Sequence, residues 1–239
     1  INITLFFFFF RILAKNITME LNNINLSEEQ QSKINKFISD LEQKCSEHNI
    51  TLLIPNTPGV QYPYGNTPTN GYFDSTERVL ACATGKELNQ WFPILIHEAS
   101  HMDQFLEGDP VFDESLGLDE TFKWIEGLEE PDFDKIDKEI KSGIAVEVDC
   151  EKRTVEKIKQ YGLDFVVSVE EYIQKSNAYA LFYLWMKANR SWYKIGFEPY
   201  NIKSVYSKMP KTFDVDYSTL TQDVSEAFDD LLVMSEGVK

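Results

Sequence analysis

The chemistry-bearing residues of this chain stand together in His97-Glu98-Ala99-Ser100-His101, which contains two of the three histidines. Residues four apart on a helix share one face, so both imidazoles would point into the same cleft. Histidines at this spacing typically bind Zn²⁺, and the Glu after the first one typically acts as general base. The motif therefore predicts one zinc ion and hydrolysis of a peptide or amide bond by a water that Glu98 activates.

The helix that carries the motif needs a buried side. An apolar stripe recurs at helical spacing opposite the histidines, at Leu95, Ala99, Met102 and Leu106. Pro93 and the apolar run after it predict a helix that begins at Pro93 and is buried in its first turn. This burial argues against the alternative, in which the histidines are ordinary polar residues on an exposed helix face.

A zinc site of this kind needs a third protein ligand, and no further histidine follows His101. The longer metzincin motif fails, because Gln104 and Glu107 replace its glycine and third histidine. A carboxylate is therefore expected as the third ligand. The alternatives include the acids between Asp109 and Glu120.

A second predicted helix, from Ile144 to Tyr161, offers carboxylates in a suitable place. Glu147 and Glu151 lie four apart beside its apolar face, where one can bind zinc and the other can orient a ligating histidine. We assign Glu147 as the ligand and Glu151 as the orienting residue, with Glu151 also an alternative ligand. Asp149 points about 200° away from Glu147, which makes it the weaker candidate.

The motif together with Glu147 and Glu151 resembles the gluzincins, zinc peptidases typified by thermolysin, over well under half of the chain. The resemblance implies that the strand before the motif helix, Arg78 to Thr84, lies at the cleft edge and pairs with an extended substrate. It also implies an acid four residues after the ligand, usually Asp, where this chain has Glu151.

The expected fold class is α+β: a small β-sheet with a zincin-like motif helix and second ligand helix, followed by a mostly helical C-terminal half. A capping box at Ser27 opens an amphipathic helix that ends near Glu47. The remaining predictions are strands at Thr51–Ile54 and Tyr72–Asp74, a long loop between them, a short helix near Glu120–Glu126, and helices at Val169–Lys187 and before Val233.

Hydrolysis also needs a donor that stabilises the developing oxyanion. The C-terminal half offers five candidates, among which the sequence does not choose: Tyr172, Tyr179, Tyr183, Arg190 and Tyr193. The competing hypothesis is a non-catalytic binding or structural protein with a zincin fold. The presence of Glu98 favours catalysis, because a general base is not needed to hold a metal.

Composition limits the partners and the compartment. The formal charge of −16 disfavours nucleic acid and anionic membranes, which leaves a peptide or protein as the expected substrate. Three widely spaced cysteines favour a reducing, cytoplasmic location, with secretion directed by the apolar run near residue 1 as the alternative. The apolar run in residues 1–18 is too short to span a bilayer and lies ahead of Met19. We interpret 1–18 as a leader that is not native or not ordered, and 19–239 as one domain.

Overall fold

The computed structural model describes residues 26–63, 68–112, 117–128 and 130–237, so the predicted leader at 1–18 lies outside the described residues. The protein is α+β, as predicted, with little strand and much helix. The helices of the described part are α1 (Glu28–Glu47), α2 (Leu88–Glu107), α3 (Asp119–Glu126), α4 (Phe133–Gln160), α5 (Val169–Asn189), α6 (Lys203–Tyr206) and α7 (Gln222–Gly237). The strands are β1 (Thr51–Leu53), β2 (Val60–Gln61), β3 (Pro68–Thr69), β4 (Gly71–Asp74) and β5 (Val79–Cys82).

The chain forms two compact units. The first combines the described part of Ile1–Asp103 with Glu156–Val167, and the second combines Gln104–Val155 with Ser168–Lys239. The motif His97–His101 belongs to the first unit, and Glu147 and Glu151 belong to the second.

In the first unit, α1 has the predicted bounds. Ser27 accepts a hydrogen bond from the backbone N–H of Gln30, whose side chain accepts one from Ser27 in return. The apolar face of this amphipathic helix is buried at Ile34, Phe37, Ile38, Leu41 and Cys45. Phe37 packs edge-to-face on Phe92 of α2, so α1 supplies part of the core behind the motif helix.

The sheet of the first unit has three strands in the order β1-β5-β4. β1 pairs with β5 in parallel, and β4 pairs with β5 in an antiparallel ladder. The expectation that Arg78 to Thr84 forms the cleft edge is wrong, because β5 is hydrogen-bonded on both sides. The segment predicted as one long loop also contains the short antiparallel pair β2 and β3.

Two helices begin earlier than predicted. α2 begins at Leu88, so Pro93 lies inside it and costs one hydrogen bond of its second turn. α4 begins at Phe133, well before the predicted start at Ile144. Its early turns bury Ile136 and Ile140, which continue the apolar spacing that Ile144 was predicted to open.

The core of the second unit is built mainly from α4, α5 and α7. The aromatic residues of α5 lie in this core and pack against other rings; Phe182, for example, packs edge-to-face on Phe228 of α7. The apolar side of α7 is buried at Val224, Ala227, Phe228 and Leu231.

Helix α3 receives its N-terminal cap from another helix. Leu118, at its N-cap position, offers no side-chain acceptor. The buried Glu139 carboxylate of α4 instead accepts hydrogen bonds from the backbone N–H of Glu120 (3.2 Å) and of Thr121 (2.9 Å), and from the Thr121 hydroxyl (2.8 Å). The first amides of α3 are thereby satisfied by α4.

Within the described ranges, none of the helices combines the length and the apolar character that crossing a membrane requires.

Candidate metal centre

Helix α2 brings the two motif histidines together. The His97 and His101 rings are perpendicular, their centroids are 4.6 Å apart, and a ring nitrogen of one lies within 4.8 Å of a ring nitrogen of the other. Both side chains are partly exposed. Two nitrogens bound to tetrahedral zinc at about 2.0–2.1 Å are roughly 3.3 Å apart, so a small side-chain adjustment would place both on one ion. The histidine pair therefore fits two ligand positions of a zinc site.

The opposite side of α2 is fixed by charge as well as by apolar packing. Asp103, two residues beyond the motif, accepts from Lys44 of α1 and from Lys157 near the end of α4, each at 2.7 Å. Lys157 also donates to the hydroxyl of Ser100 inside the motif, at 3.1 Å. These contacts hold the turn that carries the histidines against two other helices of the first unit.

Glu98 lies between the histidines in sequence and is 8% exposed. The Glu98 side chain lies beside Gly71, which pairs with Cys82 at the first position of the β4–β5 ladder. Burial, and secondarily the charge of Glu98, raise the pKa of the Cys82 thiol. The thiol also donates to the carbonyl of Trp91 on α2, so this position of the ladder lies directly against the motif helix.

In the second unit, α4 brings Glu147 and Glu151 together, with one carboxylate oxygen of each within 4.8 Å of the other. Glu147 is partly exposed and Glu151 is buried. The hydroxyl of Tyr172 on α5 donates a hydrogen bond to Glu151. Burial and the negative charge of Glu151 both raise the pKa of Tyr172, which keeps the phenol in its neutral, donating form.

Several other acids considered as ligands have strong partners of their own. Asp149 accepts from Arg153 (2.6 Å) and Gln104 (2.9 Å), and Arg153 also binds Glu107 and Asp109 at 2.6 Å each. Glu120 binds Lys135 at 2.8 Å. These carboxylates are compensated by cations within the second unit. Residues 113–116 lie outside the described part of the chain.

Three of the five candidate oxyanion donors already donate a hydrogen bond to another group of the second unit. Tyr172 donates to Glu151, and the Tyr183 hydroxyl donates to that of Tyr179 at 2.8 Å. Arg190 donates through Nε to the carbonyl of Trp124, at 2.8 Å, and lies over the Trp124 ring. The charge of Glu147 contributes, after burial and Tyr183, to the raised pKa of Tyr179, which places Tyr179 near the predicted ligand.

Two neighbours of the candidate residues were not predicted from the sequence. Gly71 falls at the end of the predicted loop between Ile54 and Tyr72, and Tyr172 was predicted only as an oxyanion donor. Their contacts join residues 27 and 21 positions apart in the sequence, too far for a local pattern to reveal them.

No family model, curated protein or solved structure matches this chain. The likeness to gluzincins therefore rests on the motif residues and the later acidic pair alone.

Proposed function

We propose that the protein is a zinc-dependent hydrolase of peptide bonds, related in its site design to the gluzincins. The observation that carries the proposal is the pair of imidazoles one helical turn apart on α2, with the buried Glu98 beside them. In the proposed site His97, His101 and Glu147 hold the metal, and Glu151 accepts the outer N–H of a ligating histidine.

Zinc, when bound, would lower the pKa of a water molecule and polarise the carbonyl of the scissile bond. Glu98 takes the proton of the attacking water and delivers it to the leaving amine. Burial of Glu98 suits this role, because packing fixes the stem of the side chain that must reach the water.

The metal site is tested by zinc content, measured by mass spectrometry on protein purified without added zinc. The parent should hold one equivalent, and His101→Ala should lose it. Glu147→Ala should bind zinc at least about tenfold more weakly, since it removes a direct ligand. Asp149→Ala is the matched control from the same helix turn and should keep its zinc, because Asp149 binds Arg153. The opposite pattern at 147 and 149 would reverse the assignment.

The chemistry is tested by Glu98→Gln, which keeps the side-chain size but cannot accept the proton. At matched zinc occupancy it should lower the turnover of a cleaved peptide by about 10² to 10⁴, with zinc content and melting temperature unchanged. The substrate would be found by screening a library of quenched-fluorescent peptides. A Glu98→Gln protein with parental turnover refutes the mechanism. A parent that binds zinc and cleaves no peptide favours the non-catalytic binding protein.

A further inference from the structure

Gly71, the first residue of β4, has no backbone reason to be glycine. The glycines of the described residues with a left-handed φ are Gly108, Gly127, Gly162 and Gly196. Gly71 is not among them, so an L-residue could adopt its backbone conformation. The constraint on Gly71 is instead the limited space around its Cα.

A methyl group at this position would meet three atoms at once. It would lie 2.8 Å from Cγ2 of Ile94, 3.0 Å from the carbonyl oxygen of Ala81 and 3.2 Å from Cγ of Glu98. The Ala81 carbonyl is backbone of the neighbouring strand β5 and yields little. Ile94 and Glu98 are four apart on α2, so the methyl group would push on the face of the helix that carries Glu98.

We infer that Gly71 is a positioning residue for Glu98: its missing side chain lets strand β4 pack against the Glu98 stem and fixes where the carboxylate sits. The inference rests on the proposed function for the role of that carboxylate. General-base catalysis depends on placement, and a displacement of about 1 Å can cost about 10²-fold in rate. Gly71 therefore affects the reaction through the position of Glu98 and not through contact with the substrate.

The contact itself is tested without activity, by melting temperatures of the zinc-free protein. Gly71→Ala should lower the melting temperature strongly in the parent and in Glu98→Gln, which both have a Cγ at residue 98. It should lower it by less in Glu98→Ala, where that atom is absent. If Gly71→Ala alone fails to fold, recovery of folding with Glu98→Ala gives the same answer. Equal falls in all three backgrounds overturn the inference.

Gly59→Ala is the matched control. A methyl group there would be similarly crowded, at 3.1 Å from Cβ of Pro68 and 3.2 Å from the carbonyl oxygen of Thr69, and it would not meet Glu98. Its effect on the melting temperature should be the same whether residue 98 is mutated or not.

The positioning role is then tested on turnover. At matched zinc occupancy Gly71→Ala should lower kcat by about 10²-fold and leave KM within about threefold, because the general base rather than substrate binding is displaced. Gly59→Ala should keep the parental kcat. Parental kcat in Gly71→Ala, when Glu98→Gln is inactive, refutes the inference and leaves the proposed function standing. An inactive parent refutes the proposed function, while the melting temperatures still decide whether Gly71 contacts and places Glu98.

Discussion

Asp103 in the first unit and Glu151 in the second are buried to the same degree, each 8% exposed, yet they are held by different donors. Asp103 lies between the ammonium groups of Lys44 and Lys157. Glu151 accepts a hydrogen bond from the neutral phenol of Tyr172. Two lysines cancel the charge of a carboxylate, whereas a neutral phenol orients a carboxylate without adding a compensating charge of its own.

The difference indicates two uses for buried acids. The charge of Asp103 is neutralised by lysines of two other helices, and these ion pairs hold α2 in place, which is a structural role. A carboxylate that a neutral donor orients suits action on a cation or on the N–H of a metal-bound imidazole, which is the role proposed for Glu151.

The largest effect is expected from Asp103→Ala. It leaves Lys157, whose side chain is only 17% exposed, without its carboxylate, and should lower the free energy of unfolding by about 3 kcal/mol, the lower end for a broken buried ion pair. Urea denaturation at neutral pH measures it. Glu29→Ala removes the exposed partner of Lys33 and should leave the unfolding midpoint nearly unchanged. Equal shifts in the two variants would mean that the Asp103 network contributes no special stability.

A smaller effect is expected from Tyr172→Phe, which removes the hydroxyl that orients Glu151. One hydrogen bond to a charged acceptor is lost, which should cost roughly 2 kcal/mol of unfolding free energy. Zinc affinity should fall by up to about tenfold, because the orienting acid is itself less well held. The control is Tyr206→Phe, which removes a donor to the more exposed Glu171 and should leave zinc affinity unchanged. Unchanged zinc affinity in both variants would give Glu151 a structural role like that of Asp103.

The smallest effect is expected from Lys44→Met. The Lys44 side chain is 39% exposed and Asp103 keeps Lys157, so the free energy of unfolding should fall by less than about 1 kcal/mol. Lys157→Met should cost more, because Lys157 is less exposed and also donates to Ser100. A reversed order in urea denaturation would show that Lys44 is the main partner of Asp103.

Local patterns predicted the elements whose signals are local. The capping box at Ser27 and a clean apolar period fixed both ends of α1. The early half of α4 was missed because its acidic, lysine-rich composition resembles a surface loop, although Ile136 and Ile140 continue the helical period. Pro93 suggested a helix start, but α2 includes it in its second turn.

The sequence predicted only those contacts of the candidate site that join residues of the same helix. His97 with His101, and Glu147 with Glu151, are each brought together by a single helical turn, as their spacing requires. The closeness of Gly71 to Glu98, and of Tyr172 to Glu151, depends on how a strand and a second helix pack. The pairing of β5 on both sides likewise depends on the fold, because β5 must come to lie parallel to β1 from earlier in the chain.

The cap that Glu139 places on α3 has a consequence for how this part of the chain forms and opens. A helix of eight residues is too short to persist alone in water, and the acceptor for its first amides lies 18 and 19 residues further along the chain. The amide hydrogens of Glu120 and Thr121 are therefore protected from solvent exchange only while α4 is folded at Glu139. Helix α3 is therefore stable only together with α4. Hydrogen exchange at those two amides should report how often the N-terminal half of α4 opens around Glu139.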